Sequence, residues 1–457
     1  MLNRIVFTLL LISPFKISFA GNIVPPDSTS NVADRAQALL IIDEGRTLFL
    51  EGKVRDALIR FRQAAVKDPY TWKAPFWIAQ CHYRQNNYGY ALQYGNEAIK
   101  LNKDEVDKEV YELLGRSYHR LGKLDSAIVN YNIAMEKLSR SRTKELSLEL
   151  RIEQARFAQK EIASGSSSKR SLMQGDVNSA YNDYGPILSS NGKELYFASR
   201  RSDTKGGNMN PDDQEFFEDV YRAVWNQETQ AWDSVSNELG RINSEGFDAI
   251  SYISKNGLYG LMTINLTATS QKKSTKGSDI FELEMSGKGK WNAPKRINNK
   301  TINTSFFEGS ATATDDGNTM YFASDRKGDK SSMDIYMVEK IGKKWGEAKP
   351  LPTGVNTTGY ETTPCISGDG RYLFYSSDGL NGMGGLDIYV VENLGGGQWG
   401  TPVNLGIMVN TVNNDTHFKY YPELGKAVMV SFELIGQKAS LDLYDVDMKD
   451  FKYPVKQ

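Results

Sequence analysis

The chain has 457 residues, of which 40% are hydrophobic and 24% charged, so it is long enough for two or three globular domains. Its formal net charge at pH 7 is −1, which argues against a general attraction to nucleic acid or to an anionic membrane surface. The two cysteines, Cys81 and Cys365, fall in different predicted domains, so we expect buried thiols rather than a disulfide.

Residues 1–20 have the pattern of a secretory signal peptide. Arg4 precedes the apolar run IVFTLLLI, and the small residues Ser18 and Ala20 predict cleavage after about Ala20. A membrane anchor is the alternative, but the run is shorter than the roughly 20 residues that a spanning helix needs. No cysteine lies near the cleavage point, and no later segment is apolar enough to span a membrane. We therefore expect an exported protein with a linker at residues 21–32.

Residues 33–163 are predicted to form an α-helical array of tetratricopeptide repeats (TPRs). Proline and glycine are sparse here, and Ala57, Ala91 and Ala127 recur at spacings of 34 and 36 residues. Small residues at these positions let paired helices cross closely, while aromatic residues such as Phe61 and Tyr131 fill the neighbouring gaps. The pattern predicts three repeats and a closing helix from about Thr143 to Ile162, with an unrelated helical bundle as the alternative.

The first helices of the three pairs should line a concave, peptide-binding face. Residues 31–163 contain 22 basic and 18 acidic residues, so an acidic peptide or a C-terminal carboxylate suits this face. The alternative is an ordinary solvated helix surface. The predicted binding residues are Lys73, Tyr83, Arg84, Arg116, His119 and Arg120.

The segment SGSSSKR, residues 164–170, has the composition of a linker, and a repeat of a different kind follows it. Short phrases such as GSDIFELEM, SMDIYMVEK and GGLDIYVVE recur, and their aspartates are 53 to 60 residues apart. The five aspartates are Asp219, Asp279, Asp334, Asp387 and Asp442. A hairpin with an Asn-Gly or Asp-Gly turn precedes most copies, and a tryptophan strand follows most of them. Each unit therefore predicts four short strands, which is one blade of a β-propeller.

The two ends of residues 171–457 should meet in one blade. A Val/Ile-Asn-Ser/Thr triplet follows four of the units, and a fifth copy, residues 177–179, stands before the first hairpin with no blade ahead of it. At the other end, Phe451 and Pro454 stand where earlier units have Trp399 and Pro402. Closure removes the exposed sheet edges of an open array. The predicted fold class is thus α + β multidomain, with a helical TPR array followed by a five-bladed all-β propeller.

Catalytic and metal-binding patterns are sparse. His417 is the only histidine of the predicted propeller, and the sequence contains no HExxH, paired CxxC or Gly-x-Ser-x-Gly motif. We interpret the repeated aspartates as structural acceptors of backbone N–H groups, because a catalytic group would be needed once. The alternative is a ring of metal-binding or acid–base carboxylates. We predict a protein that is not an enzyme, with no cofactor and no metal.

Two insertions, residues 208–219 and 265–277, join the second and third strands of adjacent units. Both should project from one side of the disc, where extra loop length often serves binding. Tolerated surface variation is the alternative.

The repeated hairpin and Asp-Ile-Tyr units closely resemble the WD40-like repeats of TolB-type bacterial propellers. With the helical repeats before them, residues 33–457 resemble periplasmic proteins of Bacteroidota that add an OmpA-like peptidoglycan-binding domain, among them the PorE-type component of the type IX secretion system. The OmpA-like domain and a lipid-anchor cysteine are not expected here. The resemblance implies a periplasmic scaffold or adaptor for envelope machinery, perhaps in type IX secretion or gliding. Its partners would be envelope proteins or peptides, including peptidoglycan-associated or outer-membrane secretion components, bound through the groove and the propeller face.

Two other function classes stay open at this point. One is a glycan- or peptidoglycan-binding module that uses the aromatic-rich propeller face, and the other is a propeller hydrolase or lyase.

Overall fold

The computed structural model describes residues 30–207, 209–210, 215–265, 277–327, 332–435 and 438–451. The predicted signal peptide and most of the linker after it lie outside this range. Within the described residues, no helix combines the length and the apolar character that crossing a membrane requires.

Residues 32–163 are helical, as predicted, and the described part of this region contains eight α-helices. They are α1 (Val32–Leu50), α2 (Val54–Lys67), α3 (Lys73–Arg84), α4 (Tyr88–Leu101), α5 (Glu109–Arg120), α6 (Leu124–Lys137), α7 (Arg140–Glu145) and α8 (Leu148–Ala163). Helices α1 to α6 form three sequential pairs, and α8 packs on α6 as the closing helix. The predicted closing helix is interrupted at Ser147, whose φ of 51° lies in the left-handed region.

Close helix crossing explains the small residues of the repeats. A Cβ atom on Gly115 would lie 2.5 Å from Cδ1 of Tyr131, and one on Gly45 would lie 2.6 Å from Cε1 of Phe61. The two aromatic side chains are fully buried against these glycines. The helices of a pair can approach this closely only because the glycine positions carry no side chain, as the repeat pattern predicts.

The rest of the described chain forms five antiparallel sheets. The first blade contains β2 (Asp183–Leu188), β3 (Glu194–Ser199), β4 (Asp219–Asn226) and β5 (Ala231–Ser236). The second contains β6 (Phe247–Ile253), β7 (Tyr259–Asn265), β8 (Asp279–Glu284) and β9 (Lys295–Arg296). The third contains β10 (Glu308–Ala313), β11 (Thr319–Ser324), β12 (Asp334–Ile341), β13 (Lys344–Trp345) and β14 (Lys349–Pro350).

In the fourth blade the strands are β15 (Glu361–Ile366), β16 (Tyr372–Ser377), β17 (Asp387–Gly395), β18 (Gln398–Trp399) and β19 (Val403–Asn404). The fifth combines β20 (Asp415–Tyr421), β21 (Lys426–Ile435) and β22 (Lys438–Asp447) with β1 (Arg170–Leu172). The first strands of the blades, β2, β6, β10, β15 and β20, contact one another in cyclic order around the axis. The predicted five-bladed propeller and its fold class are confirmed.

The ends of the propeller meet in the fifth blade, as predicted. Strand β1 pairs antiparallel with β22 as the outer strand, with Leu172 opposite Tyr444. The unpartnered triplet also belongs to this blade, because the Asn178 side chain accepts a hydrogen bond from the Leu443 amide at 2.7 Å and donates to its carbonyl at 3.1 Å. Phe451 packs its ring against the fifth blade, while Pro454 lies outside the described residues.

The same asparagine contact recurs in every blade. Each triplet asparagine holds both backbone groups of one residue in the third strand, at 2.7–3.1 Å. The pairs are Asn243 with Val220, Asn303 with Ile280, Asn356 with Ile335, Asn410 with Ile388 and Asn178 with Leu443. The triplet is therefore a structural part of the blade that satisfies buried backbone groups.

Two of the repeated aspartates act as predicted. Asp219 accepts a hydrogen bond from the Lys205 amide at 2.7 Å, and Asp387 accepts one from the Met383 amide at 2.5 Å. Both carboxylates begin a third strand and hold the loop before it. The structural interpretation is correct for these two positions.

The other repeated aspartates differ from that prediction. Asp279 forms a bidentate pair with Arg296 at 2.7 and 2.8 Å, and Asp334 forms an ion pair with Lys327. Asp442 lies inside β22 instead of at its start. The aspartate at this repeat position therefore has different hydrogen-bond or ion-pair partners in different blades, because the neighbouring loops differ between blades.

The sequence analysis missed a second set of carboxylates. They lie at the first or second position of the first strand of each blade and have no exposed surface: Asp183, Asp248, Glu308, Glu361 and Asp415. Each accepts hydrogen bonds from the amide and hydroxyl of the triplet Ser or Thr four residues earlier, for example from Thr411 at 2.6 and 2.9 Å. These carboxylates fix the connection between consecutive blades.

The disc has two faces, which we call upper and lower. On the upper face loops join the second and third strands of each blade, and on the lower face hairpin turns join the first and second strands. The helical array lies on the upper face, where it contacts residues 378–386 and 407–414.

Candidate functional site

Helices α5 and α8 hold the propeller through side chains that bond to its backbone. The donor–acceptor distances lie between 2.8 and 3.2 Å. The four contacts are His119 with the Met383 carbonyl, Arg120 with the Val412 carbonyl, Gln154 with the Leu380 carbonyl and Glu161 with the Ile407 amide. An apolar cluster supports them, in which Leu124, Ala155 and Ala158 bury Met383. The linker thus joins two domains that also pack against each other.

An open cleft remains beside this contact, and we call it the interdomain cleft. It consists of two adjoining cavities of about 270 and 310 Å³, which share Tyr83, Arg116, Arg120 and Asn414. The helical wall adds Phe49, Gln80, Arg84, His119, Tyr131, Arg151 and Gln154, and the propeller wall adds Tyr360, Asp378 and Leu386. The cleft is therefore the end of the concave helical face, closed by the upper face of the propeller.

Five of the six residues predicted to bind a partner line this cleft. Tyr83, Arg116 and Arg120 line both cavities, His119 lines one and Arg84 the other. The sixth, Lys73, begins α3, whereas Arg84 ends it, and a 12-residue helix separates its ends by about 16 Å. Lys73 lies close to the Trp72 ring outside the cleft. That these six side chains bind a partner stays a prediction.

The cleft has more positive than negative charge. Four guanidinium groups line it: those of Arg84, Arg116, Arg120 and Arg151. Arg116 pairs with the buried carboxylate of Glu112 at 2.5 Å, and Arg151 lies 3.5 Å from Asp378. Two positive charges therefore remain without a carboxylate among the described residues, and they lie beside aromatic rings. Such a surface suits a carboxylate-rich ligand, because guanidinium groups form bidentate hydrogen bonds with carboxylates.

The pKa of the Tyr83 phenol reflects the positive charge of the cleft. Burial alone would raise its pKa, but the charges of Arg116 and Arg120 outweigh burial and hold the pKa below its ordinary value. The guanidinium of Arg116 also stacks on the Tyr83 ring at 4.3 Å from its centroid. A residue in this position would contribute a flat contact surface as well as a hydrogen bond to a peptide.

His119 has a structural position that the sequence did not reveal. It is 4% exposed, and its Nε2 atom lies 2.8 Å from the Met383 carbonyl, so the neutral ring must carry its proton on Nε2 to donate there. Burial lowers the pKa of His119 to about 4, with Arg120 and Arg151 adding to the effect. This ring is therefore neutral at pH 7 and joins the two domains within the chain.

Sequence reasoning missed the contributions of α8 and of the propeller to the cleft. Arg151 and Gln154 are three residues apart and thus share one face of α8, but no repeat pattern marks them. Arg84 was predicted because it faces the concave side in the repeat frame. It donates to the Phe49 carbonyl at 2.9 Å and lies over the Phe49 ring.

No catalytic arrangement is evident at His417. Its ring nitrogen Nδ1 lies 3.0 Å from the Thr416 hydroxyl, and burial followed by the charge of Lys419 lowers its pKa to about 3. Among the described residues, no carboxylate forms a hydrogen bond with this ring, and no group of three potential metal ligands occurs. We find no Ser-His-Asp geometry within that range.

The two predicted insertions leave the upper face, as expected from the strand order, because they join β3 to β4 and β7 to β8. In the first insertion, Phe217 is buried against Phe247, and its neighbour Phe216 contacts Tyr181. The two phenylalanines therefore help to hold the loop on the disc. Residues 208, 211–214 and 266–276 lie outside the described residues, and a binding role for either insertion stays a prediction.

Comparison with known sequence families bears on the helical region. The sequence model of the family "Anaphase-promoting complex, cyclosome, subunit 3" matches residues 50–143, which include α2 to α6 and the first part of α7. With the repeat geometry described above, this match identifies the helical region as TPR-like. None of the curated proteins compared with the chain matches it in sequence.

Several solved structures are similar to parts of the chain. The first TPR of Spaghetti (RPAP3) bound to the HSP90 peptide SRMEEVD is 26% identical, covers 25% of this chain and 93% of its own, and has a TM-score of 0.23. A putative TolB from Agrobacterium tumefaciens is 19% identical, covers 59% of this chain and 78% of its own, and has a TM-score of 0.36. A glycoside hydrolase is 10% identical, covers 70% of this chain and 100% of its own, and has a TM-score of 0.42.

Proposed function

We propose that the chain is a non-enzymatic scaffold that binds an acidic segment of a protein partner in the interdomain cleft. The observation that carries this proposal is the pair of uncompensated guanidinium charges on an aromatic surface between two domains. An acidic segment that lies on α3 and α5 would contact the array and the propeller at once. Its affinity would then depend on the two domains staying docked, because both supply walls of the site.

The setting we propose is the periplasm. The N-terminal signal-peptide pattern supports export, and the resemblance to TPR–propeller proteins of Bacteroidota supports a place in envelope machinery such as type IX secretion or gliding. Both modules are architectures that commonly present protein-binding surfaces. The partner would accordingly be an envelope protein with an exposed acidic segment.

A capture experiment tests the cleft. The full mature chain is immobilised, and proteins that it retains from a detergent extract of the native envelope are quantified by mass spectrometry. In the double variant Arg84→Ala/Arg120→Ala we expect capture of the specific partner to fall about tenfold or more, since each lost Arg–carboxylate contact contributes ~1 kcal/mol when partly desolvated. Arg116 is left in place, because its removal would leave the buried Glu112 carboxylate unpaired.

Arg60→Ala is the matched control. Arg60 lies on α2, outside the cleft, and its guanidinium is 3.6 Å from Glu44 at an exposed site. This variant removes a positive charge from the same domain and should retain full capture. Equal capture by the double variant and the wild type would show that the partner binds elsewhere.

A further inference from the structure

A second cavity opens on the lower face of the propeller, away from the helical array. It has a volume of about 410 Å³ and surrounds the propeller axis, between the hairpin turns and the ends of the first strands. Its walls are largely aromatic and apolar, with Tyr196, Tyr252, Trp291, Phe374 and Tyr421 among the lining residues. We call this cavity the lower-face pocket.

Each blade contributes an equivalent residue to this pocket. The first strand of every blade has a bulge, and the residue directly after it faces the second strand in the same register. These five residues, all of which line the pocket, are Ile187, Tyr252, Thr312, Cys365 and Lys419. Four blades thus place an uncharged side chain around the axis, and the fifth places a lysine there.

The fifth blade departs from the repeat again two residues later. Ser189, Ser254 and Ser367 occupy this position in three other blades, where their hydroxyls cap the hairpin turns. The fifth blade has Tyr421 instead, and its phenol accepts a hydrogen bond from the Leu188 amide of the first blade at 2.9 Å. Because four blades fold without a lysine or this tyrosine, the propeller fold itself does not require them.

The Lys419 ammonium lacks a carboxylate partner among the described residues, although Lys419 is only partly exposed. The other charged groups of the pocket lie at its rim. Lys255 pairs with Glu423 at 3.1 Å, and Glu194 pairs with Arg222 at 3.1 Å. Asp315 is exposed on a hairpin turn.

The groups that face Lys419 from within the fold are also uncharged or weakly acidic. They are His417 on its own strand and Cys365 on the neighbouring first strand. Burial lowers the pKa of Lys419, which means that its charged form is poorly solvated. An anion placed beside this ammonium would compensate the lost hydration.

We propose that the lower-face pocket binds a ligand that carries a carboxylate on an aromatic or apolar body, with the Lys419 ammonium as the partner of the carboxylate. The aromatic walls would cover the body, and the axis position of the lysine would place the carboxylate at the pocket floor. A free aromatic acid and the C-terminal residue of a peptide share this chemistry. The site is separate from the interdomain cleft, which lies on the other face.

The test compares two probes that differ only in the charged group. N-acetylphenylalanine and N-acetylphenylalaninamide are titrated into the mature chain by isothermal titration calorimetry at pH 7. We expect the acid to bind at least tenfold more tightly than the amide. Equal affinity of the two probes, or no binding of either in the millimolar range, would overturn the proposal without the need for any variant.

The variant Lys419→Met then locates the site. We expect it to lose the preference for the acid, whereas Lys255→Met, which removes a lining lysine that is already paired with Glu423, should keep it. A preference that persists in Lys419→Met would also overturn the proposal. Two further probes, the peptide Ala-Ala-Phe and 3-phenylpropanoate, decide the source of the ligand. If the peptide binds more tightly than 3-phenylpropanoate, the ligand is a chain terminus, and if 3-phenylpropanoate binds more tightly, it is a free acid.

Discussion

Substitution of one asparagine should loosen the closure of the propeller. The Asn178 side chain makes three hydrogen bonds: it accepts from the Leu443 amide at 2.7 Å and donates to the carbonyls of Leu443 and Met173 at 3.1 and 3.2 Å. Leu443 has no exposed surface, so Asn178→Ala leaves a buried N–H group without an acceptor, at a cost of about 1–3 kcal/mol. The Leu443 carbonyl keeps the Met173 amide as a donor. We therefore expect the free energy of unfolding to fall by about 2–3 kcal/mol in total.

Hydrogen–deuterium exchange measured by mass spectrometry on the mature chain is the suitable assay, because it resolves the closure strand from the rest of the fold. Protection of residues 170–172 should fall in Asn178→Ala. Asn243→Ala is the matched control, since Asn243 makes the same contacts with Val220 at 2.8 and 3.0 Å inside the first blade. That control should lose protection in β4 and keep it in β1. Full protection of β1 in Asn178→Ala, or an equal loss in both variants, would refute the closure argument.

Three further predictions concern pH and domain packing. Burial lowers the pKa of His119 to about 4, so the stability that its neutral ring contributes is complete above the unfolded value of 6.5 and is lost as the pH falls toward 4. His119→Gln, which keeps a donor for the Met383 carbonyl, should flatten this loss in thermal melts between pH 7 and 4, and an unchanged slope would contradict it. Burial raises the pKa of Asp248 to about 7, so the stability that its protonated carboxyl contributes is complete below the unfolded value of 3.8 and is lost as the pH rises toward 7. The variant Asp248→Asn should remove this loss of stability, and identical melting profiles for the variant and the wild type would contradict the prediction. Limited trypsin digestion should cut the exposed segment 164–169 and leave two fragments that co-elute in gel filtration, whereas their separation would show that the domains do not stay docked.

The sequence predicts most of the fold because its repeats are local and physically specific. The alanine spacing predicts where paired helices cross. At one such crossing a Cβ on Gly115 would collide with Tyr131, which explains why a small residue stands there. The unpartnered copy of the Val/Ile-Asn-Ser/Thr triplet predicts the closure, since each asparagine holds one backbone residue of its own blade. The buried carboxylates at the blade entrances could have been found from their spacing of four residues after the triplet Ser or Thr.

The candidate site was less predictable because it depends on contacts between distant parts of the chain. His119 and Met383 are 264 positions apart, and nothing in the local pattern of either residue indicates the other. Five of the six predicted residues line the interdomain cleft, but the propeller wall with Asp378 and Tyr360 depends on how the two domains dock. Docking is decided by shape and by backbone hydrogen bonds, which leave no periodic signal in the sequence.

Site-specific crosslinking in the native envelope tests the central claim most directly. A photoreactive amino acid is placed at position 80, where Gln80 lines the interdomain cleft, and in a second strain at position 93, where Gln93 is exposed on α4 outside it. We predict that the first probe crosslinks one envelope protein with an acidic segment, and that the added change Arg84→Ala/Arg120→Ala abolishes this product. A partner crosslinked equally from both positions, or a product at position 80 that survives the loss of both arginines, would contradict the account.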